Sequence, residues 1–290
     1  NVTVTSSVAG VVIPPSHNMI LYVVAAGGGI SVSKLFIAGI LPGVIMCACL
    51  AVVAYIVAVR RGYPKEAFPG VSALLYSFVA AIPGLLTAVI IVGGVLSGVL
   101  TVTESGAFGA IYAVVITGLV YRELTWTAFR TSVLRAVQTT ALVMILVGCA
   151  SAFAYLLALY RVPEQLTVLL TAISDNPIVI LLILNLILLG LGMIMDMAAL
   201  ILICTPIFLP VAASVGMDPI QFGILLMMNL GLGLCTPPVG ACLFVGCVIG
   251  GVKIEQAVKT IWPFYLAILA ALMLVTYVPA ISLTLPALLN

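Results

Sequence analysis

The sequence predicts an all-α, polytopic membrane protein built on inverted repeats, with discontinuous helices and a re-entrant helical hairpin. Three observations carry that expectation. Hydrophobic residues fill 64% of the 290 positions and charged residues 6%, with a mean hydropathy of +1.41. That composition belongs to integral membrane proteins, so the lipid bilayer is the first partner. Two Pro-Pro pairs, Pro14-Pro15 and Pro237-Pro238, interrupt apolar runs. The interruptions recur at a nearly constant offset: Pro14 to Pro237 is 223 residues and Pro42 to Pro263 is 221. Such an offset is expected of two structural repeats. The net charge of +2 and the lack of a basic cluster give no footing for a nucleic-acid partner. The seven cysteines form no CxxC or Cys/His metal spacing and read as small buried hydrophobes, and the single histidine, His17, makes no metal site by itself.

The second break lies in Asn229–Gly240, inside an apolar run from Pro219 to Gly251. Proline has no N–H and clashes with the carbonyl four residues back, so a helix breaks there and frees backbone groups. In a membrane such groups are tolerated only inside protein or along a polar cavity. The first break repeats the pattern. Aligning the proline pairs puts Gly10 on Gly233, Ile13 on Thr236 and Ser16 on Val239. Paired interrupted helices are the best pointer in a sequence to a transporter binding site. The second pair has a long apolar run before it and the first almost none. The N-terminal half of repeat one, with its own hairpin, is therefore expected to lie outside this chain.

In order along the chain, residues 1–34 form the end of the first transport region. Residues 35–135 are scaffold and interfacial helices. Leu35–Val59 is a 25-residue apolar span ending at the basic loop Arg60, Arg61, Lys65, Glu66. Val71–Leu100 spans again with a kink at Pro83, and Thr101 three residues before Glu104 reads as a capping box. Ser105–Tyr121 is a shorter helix, and Trp126, Arg130 and Arg135 mark an interfacial segment. Residues 136–260 form the second transport region. It contains the span Ala136–Tyr160, a hairpin at 190–213 interrupted at Gly192–Asp196, and the broken helix at 219–250. A turn is expected at Ser174, Asp175, Asn176 and Pro177. Residues 261–290 make a C-terminal scaffold helix. Placing Arg60/Arg61/Lys65 and Arg122/Arg130/Arg135 on the cytoplasmic side, with two crossings between them, makes the two repeats inverted. Lys34 falls on the outer side in this scheme.

The ordered motifs Ile13-Pro-Pro-Ser16, Thr103-Glu104-Ser105, Asp196, Thr205-Pro206 and Cys235-Thr-Pro-Pro-Val-Gly240 resemble those of the large (M-type) membrane subunit of tripartite ATP-independent periplasmic (TRAP) transporters. The match runs over nearly the whole chain from Thr5. The resemblance implies an elevator-type ion-transporter fold in the bacterial inner membrane. It also implies sodium-driven uptake of an organic acid delivered by a periplasmic substrate-binding protein, and a small Q-type membrane subunit. Ser16-His17-Asn18-Met19 departs from the pattern, since many members carry an apolar residue after the serine.

By that resemblance, one sodium (Na+) site uses the Gly233, Thr236 and Val239 carbonyls with a contribution near Gly192. The repeat alignment puts Gly10, Ile13 and Ser16 at the equivalent place in the first half. Close helix packing is the other reading of the glycines. Asp196 is the only acidic residue in the Pro177–Pro210 block. A carboxylate at membrane depth is a candidate for substrate or ion contact, and Asp also suits a helix N-cap. Thr205, before Pro206, is a candidate substrate contact or a partner for freed backbone. Arg161 offers a guanidinium fork to a substrate carboxylate, or snorkels at the interface. Ser6, Ser7 and Asn18 offer polar contacts to a hydroxylated substrate, and the polar Ser16-His17-Asn18 stretch near the first break favours a sugar acid such as sialic acid over a C4-dicarboxylate. Membrane serines also bond their own backbone. The rival classes are another sodium-coupled anion carrier, a channel lined by the breaks, and a membrane enzyme using Asp196, His17 and Arg161. For the enzyme there is no nucleophile elbow, metal spacing or phosphate loop.

Overall fold

A computed structural model describes residues 1–63, 69–174 and 176–288. Pro64, Lys65 and Glu66 of the basic loop, Asp175 of the expected turn, and the last two positions of the C-terminal span lie outside the described residues. Every regular element among the described residues is helical. Among the described residues, six helices are long and apolar enough to cross a membrane, or up to seven when a bent pair counts as one span. The chain divides into two compact units, residues 1–60 with 144–290, and residues 61–143.

The first unit begins with a broken helix. The short turns α1 (Val2–Ser6) and α2 (Ala9–Val12) lead to an extended break at Ile13, after which α3 (His17–Ala25) continues. The two arms are bent by 49°, as two adjacent residues without N–H groups require. Helix α4 (Val32–Arg61) is a long span with Pro42 inside it. The sequence reading grouped residues 35–60 with the segment to 135. By packing, α4 stands with the first broken helix: Gly43 lies against the Ile13 side chain, and Gly39 against Val12 and Met19.

The second unit is a helical hairpin. Helix α5 (Val71–Leu96) carries Pro83 without ending, and α6 (Val102–Val115) runs into a π-helical turn, Ile116–Val120. The expected capping box starts α6: Glu104 N–H donates to Thr101 Oγ1 at 3.3 Å, and Thr101 N–H donates to Glu104 Oε2 at 2.8 Å. Such a cap satisfies two orphan amides of the first turn. The fully buried Ser105 donates to the Ile91 carbonyl at 2.6 Å, joining the two helices. Helix α7 (Trp126–Leu159) crosses the division between the units as one 34-residue helix. The expected interfacial segment at Trp126–Arg135 is its first part. No glycine or proline stands there to stop it.

The rest of the first unit holds the hairpin and the second broken helix. After α8 (Val162–Ile173), the arms α9 (Pro177–Gly192) and α10 (Met197–Ser214) meet at a tip of four residues. Asn176 caps α9 through Ile178 N–H at 3.0 Å, and Asp196 caps α10 through Ala198 N–H at 3.0 Å. Helix α10 completes the expected hairpin, ending one residue past 213. It continues through Pro206 and Pro210 and ends before Gly216, whose φ of 84° stops it. Membrane helices tolerate such prolines when neighbours cover the freed carbonyls. Helix α11 (Pro219–Leu234) is capped by Asp218 and buried on all sides from Gln221 to Gly233, so it is the core. Helix α12 (Ala241–Gly250) follows the second break, then α13 (Ile254–Tyr277) and α14 (Pro279–Leu288). The expected single C-terminal helix is thus two. Pro279 lacks an N–H and biases Val278 away from helix, and Val278 adopts φ −118° and ψ 89°.

Candidate binding site at the hairpin tip and the two helix breaks

The site is built on a close crossing of α9 and α11. A Cβ on Gly233 would lie 2.6 Å from the Gly192 carbonyl carbon and 2.7 Å from its Cα. Only a glycine at 233 permits the two backbones to approach so closely. Just beyond, Val239 N–H donates to the Met193 carbonyl at 3.1 Å, joining the second break to the hairpin tip. Thr236 folds back, with its N–H on the Gly233 carbonyl at 2.9 Å and its hydroxyl on the Leu232 carbonyl at 2.7 Å. Tyr265 of α13 donates to the Cys235 carbonyl. No donor among the described residues reaches the carbonyls of Gly192, Thr236 or Val239. Gly240 then starts α12 at φ 36°, a left-handed conformation that favours glycine.

The first broken helix lies across the second. Val8 sits against Gly231, Val4 sits against Gly246, and the Cys235 thiol donates to the Val4 carbonyl at 3.3 Å. Both proline pairs are joined by cis peptide bonds. Between these elements and the hairpin tip lies a cavity of about 390 Å³. Ser7 and Thr3 of the first broken helix, Asp196 of the tip and Cys242 of α12 give it polar atoms, among apolar neighbours such as Leu234 and Val245. It holds one carboxylate and no basic side chain.

The candidate residues fall into three groups. Gly192, Gly233, Thr236 and Val239 meet at the crossing just described. Gly10, Ile13 and Ser16 stay together at the first break. There, no donor among the described residues reaches the Gly10 or Ile13 carbonyl, and Ser16 is buried as the N-cap of α3 without a side-chain cap bond. Ser7 and Asp196 share the cavity. The others lie elsewhere. Ser6 is exposed and donates to the Thr3 carbonyl at 3.2 Å. Asn18 is buried and donates to Met197 Sδ at 3.5 Å, tying α3 to the start of α10. Thr205 is fully buried with its hydroxyl on the Ile201 carbonyl at 2.6 Å. Arg161 is exposed at the N-cap of α8 with φ 52°, away from the cavity lining.

Sequence reasoning missed Thr3 and Cys242 as cavity residues and read the cysteine as a small hydrophobe. It also missed Asn185 and Asn229. These side chains meet in the core of α9 and α11, with Asn229 Nδ2 2.8 Å from Asn185 Oδ1. Their signal was present, since Asn185 is the only polar side chain in the run 177–192.

The protein is similar to known proteins along nearly its whole length. It is 42% identical to the uncharacterized protein YgiK of Salmonella typhimurium over 99% of this chain and 66% of that protein. It is 38% identical to the C4-dicarboxylate TRAP transporter large permease protein DctM of Pseudomonas aeruginosa, over 96% of this chain and 64% of the relative. It is 35% identical to the sialic acid TRAP transporter large permease protein SiaM of Vibrio cholerae, over 98% and 66%. The chain thus spans just under two thirds of the length of these relatives. The model of the DctM component of the tripartite ATP-independent periplasmic transporters matches residues 1–281. On that match, the chain belongs to the DctM component family of tripartite ATP-independent periplasmic transporters.

Proposed function

We propose that this chain forms the core of a sodium-driven secondary transporter that imports a hydroxylated organic acid. Family membership makes it a multi-pass permease component of the bacterial inner membrane rather than an enzyme. The observation that carries the finer reading is the shared cavity. It joins Ser7 of the first broken helix, Asp196 at the hairpin tip and Cys242 after the second break, next to a crossing where the Gly192, Thr236 and Val239 carbonyls lack donors among the described residues. Broken helices with open carbonyls suit sodium, because they supply several oxygens without burying a countercharge. Gly192, Thr236 and Val239 would hold one ion, with Gly233 beside them, and Gly10, Ile13 and Ser16 would contribute to a second.

The cavity chemistry favours a sugar acid over a bare dicarboxylate. Asp196 is acceptor-only when ionised, so it welcomes hydroxyl donors and repels a second carboxylate. The substrate's own carboxylate then needs sodium or a cation from outside the cavity, and Arg161 is the candidate on this chain. Transport would proceed by an elevator movement, with a small Q-type membrane subunit and a periplasmic substrate-binding protein delivering the acid. The test is uptake by the complete transporter in proteoliposomes, with and without an inward sodium gradient. The binding protein would be loaded with labelled sialic acid or with a C4-dicarboxylate. Sodium-dependent uptake of the sugar acid is the expected result. Uptake indifferent to both sodium and the binding protein refutes the proposal.

A further inference from the structure

Asn185 and Asn229 form a polar contact inside the most apolar part of the protein. Asn229 is fully buried in α11, and its Nδ2 donates to the Asn185 backbone carbonyl at 3.0 Å and to Asn185 Oδ1 at 2.8 Å. Asn185 Nδ2 donates in turn to the Leu181 carbonyl at 2.9 Å and to Thr276 Oγ1 of α13 at 3.3 Å. The Thr276 hydroxyl donates to the Leu272 carbonyl at 2.8 Å. The donors therefore run one way, from Asn229 to Asn185 to Thr276. Flipping the Asn229 amide would turn its oxygen onto two acceptors, so its orientation is determined.

This arrangement carries a cost. Asn229 Oδ1 is buried and meets no donor among the described residues. An unmet buried acceptor is a standing cost that a leucine would avoid. What the pair does provide is register. Along the seam of α9 and α11 the contacts run in the same order on both helices. Asn185 meets Asn229, Gly192 then meets Leu230 and Gly233, and the Met193 carbonyl then meets Val239. Leucine side chains would hold a register by packing shape alone, whereas an amide with two directed bonds adds a fixed position.

We propose that Asn229, acting through Asn185, is a positioning residue for ion binding at the Gly192–Gly233 crossing. Its two donated bonds hold α9 on α11 in the register that sets the spacing of the Gly192, Thr236 and Val239 carbonyls. The residue touches no ion. The inference rests on the sodium reading given above.

The test uses the full-length transporter in proteoliposomes. It measures the half-saturating sodium concentration for uptake, the uptake rate at saturating sodium, and the thermal midpoint. Asn229→Leu leaves Asn185 Oδ1 without its donor, whereas Asn185→Leu/Asn229→Leu removes both polar groups and restores an apolar seam. The single variant is expected to lower the thermal midpoint and to raise half-saturating sodium on the order of five-fold, the size of a typical coupling between contacting residues. The double variant is expected to recover the midpoint but not the sodium affinity. The milder Thr276→Val, which removes one acceptor of Asn185, is expected to shift half-saturation in the same direction by about two-fold and serves if the seam variants do not fold. Wild-type half-saturation in the folded variants, with the wild type itself sodium-dependent, overturns the positioning role alone. A wild type indifferent to sodium overturns the sodium reading and this inference with it.

Discussion

The Gly192–Gly233 crossing can be perturbed by a single carbon. Gly233→Ala places its Cβ 2.6 Å from the Gly192 carbonyl carbon and 2.8 Å from the carbonyl oxygen. Ordinary contact for such a carbon begins near 3.4 Å, so the helices must part locally by about 0.8 Å in an otherwise close-packed seam. The opposing atoms are backbone, and no rotamer change absorbs the clash. Overpacking of this kind costs about 1–3 kcal/mol, roughly 5- to 150-fold in an equilibrium constant. Gly192→Ala is milder, since its Cβ would stand 3.4 Å from Gly233 Cα and from Leu230 Cδ2. Gly190→Ala meets nothing within 4 Å and gains helix propensity of about 0.8–1 kcal/mol. The clash therefore singles out one variant of the three. Gly190→Ala equals or exceeds wild type, Gly192→Ala stays close to it, and Gly233→Ala is clearly lowest, in both thermal midpoint and apparent sodium affinity for uptake. Gly233→Ala behaving like Gly190→Ala in both assays would refute the close-crossing argument.

Other perturbations separate roles that one residue combines. Asp196→Ala removes the N-cap of α10 and should cost about 0.5–2 kcal/mol in thermal unfolding. Asp196→Asn caps about as well but carries no charge, so it should keep the midpoint and lose most uptake if the carboxylate serves the cavity. Equal uptake for Asn and Asp would assign the residue to capping alone. Cys242 is partly exposed and lines the cavity, whereas Cys235 is buried. In a background retaining only Cys242, a small anionic thiol reagent should block uptake, and saturating substrate should slow that block. Modification at an unchanged rate would put the substrate elsewhere. Thr101→Ala, far along the chain in the second unit, removes the capping box of α6. It should lower the midpoint by about 0.5–2 kcal/mol of stability and leave half-saturating sodium at its wild-type value.

Much of this architecture is legible in the sequence wherever a residue is unable to do something. Proline cannot donate an N–H, so both breaks announce themselves, and Thr101 and Glu104 specify their cap through local geometry alone. The hairpin tip is visible because Gly192 and Asp196 interrupt an apolar run. Local rules mislead where tertiary cover decides the outcome. Pro206 and Pro210 sit inside α10 rather than ending it, and the Trp126–Arg135 segment joins α7. Cavity membership is less accessible still. Nothing local distinguishes Cys242 from Cys247, yet the first lines the cavity with Asp196 and the second does not.

Asn185 and Asn229 show why the remainder stays hidden. Each stands out as an amide in an apolar run, but the meaning of each depends on a partner 44 residues away. An amide in a membrane helix has several ways to be satisfied, including its own backbone, a neighbour or a cavity, and the sequence does not choose among them. The structure selects a directed bond between α9 and α11, on the same seam as the glycine crossing. That coincidence gives a polar pair with an unmet acceptor a reason to be in the core: its directed bonds add to the packing a fixed point from which the place where two glycines meet is set.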